Sequence, residues 1–150
     1  MTLEDDLRGW AKGSYTLEAA TELLLRAFGG RYAAEDMPWV YARDTSAEGY
    51  SKGAWINFEA LGEANYGPYS AGERRFLLLV ASLAEDVPVV LSEIIPGLDR
   101  VNLDLVLAAI AHAGGCHQHS DARTNKEGNV TIRPGYLDSL HNWPRSLRTV

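Results

Sequence analysis

The residues best suited to chemistry fall in one short stretch of the chain. His112 is followed by Cys116, His117, Gln118, His119, Ser120 and Asp121. Thiolate, imidazole and carboxylate are the usual ligands of zinc and other transition metals. Three of the four histidines lie here, beside the only cysteine. Cys116 to Asp121 follow Gly114-Gly115, so they form a loop after a helix. No second ligand pair with zinc-finger spacing follows, and Asp138 and His141 come later without a recognisable pattern. The candidate metal ligands are His112, Cys116, His117, His119 and Asp121, with zinc or another transition metal as the ion. The competing reading is an exposed polar loop, with His112 half-buried and satisfied inside its helix.

Aromatic residues form the second group. Trp39, Tyr41, Trp55, Tyr66 and Tyr69 define a candidate partner or ligand surface, with Tyr50 and Phe58 nearby. Tryptophan and tyrosine suit binding surfaces because they bury much area and keep a polar handle. They serve equally well in a core. Nothing marks Glu59, Glu63 and Glu73 as an acid–base pair, and no Gly-x-Ser-x-Gly nucleophile elbow is present.

The elements that must position these residues are mostly helical. Thr2 to Lys12 reads as a short amphipathic helix, with acidic residues where unpaired amides favour them and Leu3, Leu7 and Trp10 on one face. A second helix is expected over Thr16 to Phe28, stopped by Gly29-Gly30. Pro38 to Arg43 and Ala54 to Phe58 read as two strands of a hairpin with one buried face. Asn65 to Tyr69 is a turn. Ser70-Ala71-Gly72-Glu73 matches a capping box and launches an apolar helix to Glu85. Val89 to Ile95 reads as a short helix begun by Pro88, with a brief strand as the alternative. Asp99 caps a long apolar helix, Arg100 to Ala113, which Gly114-Gly115 ends. Asp121 to Asn129 is turn-like. Val130 to Arg133 is expected to add a third strand to the hairpin, and Tyr136 to Leu140 to make one helical turn. The end beyond Pro144 is expected to fray.

The run from Ser70-Ala71-Gly72-Glu73 through Pro88-Val89-Val90-Leu91-Ser92-Glu93 to Leu98-Asp99 resembles the signature-to-Walker-B stretch of ABC-type ATPases. The resemblance implies an apolar strand ending near Glu93, and nucleotide chemistry. The chain departs from that pattern in three ways. It has no phosphate loop, Ser92 stands where the magnesium-binding aspartate belongs, and the spacing to that position is one residue short. A capping box accounts for Ser70 and Glu73 without a nucleotide.

Composition sets the outer bounds. A chain of 150 residues, 46% hydrophobic and 23% charged, has the size and make-up of one globular domain. The net charge of −6 argues against broad binding to a nucleic-acid backbone. It is unevenly spread: residues 1–120 hold 9 basic against 17 acidic groups, a net −8, and residues 121–150 hold 5 against 3, a net +2. A single cysteine allows no intrachain disulfide. The acidic start differs from a secretory leader, and no apolar run is long enough to span a bilayer. A cytosolic protein is expected.

These readings predict an α+β domain. Two central apolar helices would be packed by the N-terminal pair, with a small antiparallel sheet of two to three strands to one side. The apolar area of the two helices also suggests a homodimer, the commonest oligomer. The leading functional expectation is a non-catalytic binding or interaction protein with a protein partner still to be found. The alternative is a metal-dependent protein of the hydrolase kind, using the Cys116-His117-His119 loop.

Overall fold

The computed structural model describes residues 2–42, 53–63 and 69–145. Helix α1 (Leu3–Ala11) begins at a reciprocal cap. The Thr2 hydroxyl accepts from the Asp5 amide, and the Asp5 carboxylate accepts from the Thr2 amide. Helix α2 (Tyr15–Arg26) is capped by the Ser14 hydroxyl. It ends two residues before the expected Phe28, because Phe28, Gly29 and Gly30 all take positive φ, at 52°, 67° and 80°. Glycine adopts that conformation freely, and a phenylalanine does not. The Phe28 ring compensates by packing edge-on against Tyr32 and Phe76, at 5.4 and 5.2 Å.

A Cβ on Gly30 would also meet the Leu25 carbonyl oxygen at 3.0 Å. Gly30→Ala is therefore expected to cost about 1–2 kcal/mol from backbone strain, with the close contact adding to it. Gly29, with the same sign of φ but open space around it, should cost less. Urea denaturation of the two variants measures the difference.

Helix α2 organises the core. It packs against α1, against α4 (Ala71–Ala84) and against α6 (Arg100–Ala113). Its buried face runs through Ala19, Ala20, Thr21, Leu23, Leu24 and Leu25, and the small residues on it allow close helix approach. The expected central helices, α4 and α6, both dock on α2. Helix α6 keeps Val101, Leu107 and Ile110 exposed.

The Ser70 hydroxyl accepts from the Glu73 amide, so the expected cap of α4 forms. The Glu73 carboxylate instead accepts from the Tyr32 hydroxyl. Burial, then that hydrogen bond, push the Tyr32 phenol up to about 12.

Strands β1 (Val40–Tyr41) and β2 (Trp55–Ile56) pair antiparallel, with Val40 opposite Ile56 and Tyr41 opposite Trp55. Phe58 does not extend β2. It opens α3 (Phe58–Glu63), because Asn57 caps a helix there by accepting from the Ala60 amide at 3.0 Å. Leu91–Ile94 forms α5 and runs into a 3₁₀ turn at Ile95–Gly97. The helical reading of this segment is the one found. The strand that the ATPase resemblance implies is not formed there.

After α6 the chain turns at Gly115 (φ 70°) into a 3₁₀ turn, Cys116–Gln118. Strands β3 (Ser120–Thr124) and β4 (Val130–Tyr136) follow as a second antiparallel hairpin. This corrects three expectations. Asp121 to Thr124, expected to be turn-like, are strand residues. The Val130–Arg133 strand is real and runs on to Tyr136, but it pairs with β3 and does not join β1–β2. Tyr136 ends a strand rather than starting a helical turn, and the Leu137 amide donates to the His119 carbonyl. Asn125 makes the reversal: its side-chain carbonyl accepts from the Glu127 and Asn129 amides, while Gly128 takes φ 84°. The fold is α+β, with two small two-stranded sheets beside a helical core. Among the described residues no helix is long and apolar enough to cross a membrane.

Candidate functional site

The end of α6, the start of α2 and a C-terminal strap meet at one place. His112, in the last turn of α6, pairs through Nε2 with a Glu18 carboxylate oxygen at 3.1 Å. The other Glu18 oxygen accepts from the Gly13 amide at 3.0 Å. The His117 ring lies flat on His112, with centroids 4.3 Å apart and planes 14° from parallel. Tyr15 meets both rings edge-on, at 6.0 and 5.1 Å.

The strap runs from Leu137 to Arg145. His141 Nε2 lies 2.6 Å from an Asp104 carboxylate oxygen. Arg26 donates to the Pro144 carbonyl at 3.0 Å and sits over the Trp143 ring at 5.1 Å. The Cys116 thiol faces this strap. It donates to the Ala111 carbonyl, accepts from the Leu140 amide at 3.3 Å and lies 3.5 Å from the Ser139 hydroxyl. The Leu140 amide, then the Ser139 hydroxyl, hold the thiol below its ordinary value.

The five candidate metal ligands therefore divide. His112 and His117 stack with each other, and Cys116 is engaged by the strap. His119 is exposed at the foot of the second hairpin. Asp121 faces Arg123 and Arg133, at 3.4 and 3.8 Å. Among the described residues, no three His, Cys, Asp or Glu side chains are placed to hold one metal ion. The Gly115 turn and the change to extended backbone at His119 send neighbouring side chains in different directions.

The aromatic group divides as well. Trp39 is 1% exposed and its indole N–H donates to the Tyr32 carbonyl at 2.7 Å. Tyr69 packs against Tyr32 and Trp39. These are core contacts. Tyr41 and Trp55 stack at 4.6 Å on the outer face of the first hairpin, and among the described residues this pair fits the expected surface. Tyr50 and Tyr66 lie outside the described residues.

Sequence reasoning missed the second hairpin. Every residue of β4 is exposed, and four of the five in β3. Val130 and Ile132 share a face with their partners Thr124 and Ala122, while Thr131 and Arg123 share the other. Tyr136 pairs with Ser120 beyond a shift in register. Val130, Ile132 and Tyr136 are 64%, 67% and 65% exposed. The signal was present in the alternation of Val130, Ile132 and Tyr136, but its strand partner, Ser-Asp-Ala-Arg-Thr, carries no apolar pattern.

Burial, then the charge of His112, hold His117 below the ordinary histidine value of 6.5, while Glu18 opposes them. Its Nδ1 is buried and unpaired among the described residues. An unfolded His117 takes its proton first as pH falls, so its contribution to stability is present above 6.5 and is lost below it. The melting temperature is expected to drop as pH falls through this range. His117→Phe should remove that part of the drop. An unchanged profile in the variant would show that His117 does not carry it.

Compared with known proteins, the chain matches no family model, no curated protein and no solved structure.

Proposed function

We propose that this is a non-catalytic interaction protein that assembles with a second copy of itself through the apolar face of the β3–β4 hairpin. The observation that carries the reading is the exposure of Val130 and Ile132 on one face of the hairpin, with Tyr136 also exposed at the end of the same strand. A lone two-stranded hairpin is marginally stable in water, and contiguous exposed apolar surface marks interaction sites. Pro134 lies within β4 and removes a backbone donor from its edge. The face, rather than the edge, is what the hairpin offers.

Charge favours a second copy as the occupant. The segment containing the hairpin is net +2 and the rest of the chain net −8. An arm of one copy laid on the acidic body of the other brings opposite charges together. A two-fold axis makes the exchange reciprocal and closes the assembly. Light scattering on the full chain is the test. A mass twice the 16.5 kDa of one chain supports the reading, and a monomer at all accessible concentrations overturns it.

A further inference from the structure

A cavity of about 400 Å³ opens where α1, α2 and the end of α6 meet, beneath Trp143. Ala11 and the Trp143 indole supply its apolar lining, and the other lining residues are polar or charged. The charged groups around it are almost all paired within the protein. Glu22 lies between Arg8 and Arg26, accepting from the Nε of each. Glu18 is held by His112 and the Gly13 amide. Lys12 lines the same cavity, and no ion pair to it is formed among the described residues. Thr21 also lines it. That residue is 1% exposed, and its hydroxyl has no hydrogen-bond partner among the described residues. Ligand sites combine an apolar concavity with a few polar groups that fix orientation, and this cavity has both, with one unpaired positive charge.

We propose that the cavity is a binding site for a small organic monoanion with a flat apolar body, of the arylcarboxylate class. The ring lies against Trp143. The carboxylate faces the Lys12 ammonium at the rim. A dianion would have to compete with Glu22 for Arg8 and Arg26, whereas a monoanion needs only Lys12. A neutral ring would bury its polar end without a charge partner.

Ligand-observed NMR and calorimetry on the full chain, with phenylacetate and the neutral phenylacetamide as probes, test this. Phenylacetate is expected to bind and phenylacetamide to bind more weakly. Lys12→Met, at an exposed position, is expected to weaken phenylacetate by about threefold or more, the scale of an exposed ion pair, and to leave phenylacetamide unchanged. Trp143→Leu is expected to weaken both. Failure of phenylacetate to bind, equal affinity for acid and amide, or indifference to either substitution overturns the proposal. None of these readouts depends on whether the protein is a dimer.

Discussion

Trp39→Ala is expected to lower stability by about 3–5 kcal/mol, the range for truncating a buried large aromatic residue. Two losses combine. The indole fills space against Tyr32 and Tyr69, with ring centroids 6.5 Å from each. Its N–H also satisfies the buried Tyr32 carbonyl, and leaving a buried acceptor unpaired costs about 1–3 kcal/mol. Total stability for a domain is about 5–15 kcal/mol, so this substitution removes a large share of it. Trp39→Phe separates the terms, since it keeps most of the ring and loses only the donor. Urea unfolding followed by circular dichroism measures both variants. A cost below about 1 kcal/mol for the alanine variant, the size typical of an average point substitution, would mean that Trp39 is not the buried centre of this part of the core.

The same residue shows where the sequence was legible. Trp39 and Tyr69 suit a surface and a core equally, and composition alone does not choose between them. Local signals were more decisive. Thr2, Ser70 and Asp99 each cap the helix expected of them, because a cap is a short-range hydrogen bond between residues three apart. Gly29-Gly30 and Gly114-Gly115 end helices for the same local reason. Non-local pairing was not legible. Glu18 meets His112 across 94 positions in the chain, and neither residue carries a mark of the other. The Val130 strand was readable as a strand, but its partner was not, since Ser120–Thr124 shows no apolar alternation. Among the described residues the candidate metal ligands are not brought together. Adjacent residues in a sequence share a loop without sharing a face, and the change from a 3₁₀ turn to extended backbone at His119 parts Cys116 and His117 from His119 and Asp121.

Val130→Asp with Ile132→Asp is expected to abolish self-association while leaving the monomer folded. The two expectations come from the same exposure. Within one copy these side chains touch little, and exposed substitutions usually change monomer stability by about 0.5 kcal/mol or less. In a symmetric pair they are buried twice over. Burying a Val or Ile side chain contributes about 1.5–3 kcal/mol, so losing both weakens association by about 3 kcal/mol or more, at least a hundredfold in dissociation constant. Carboxylates placed against an acidic body add repulsion. Thermal melts at several concentrations make the distinction without a label or a column. If folding is linked to assembly, the wild-type melting temperature rises by about 2 °C per tenfold increase in protein concentration, as mass action requires. The double variant should melt at one temperature throughout, with an unchanged far-ultraviolet spectrum. A wild-type melt that does not move with concentration would remove the second copy as the occupant of the hairpin. A variant that still shows the shift would place the interface elsewhere, with the exposed Leu107 and Ile110 of α6 the next residues to substitute.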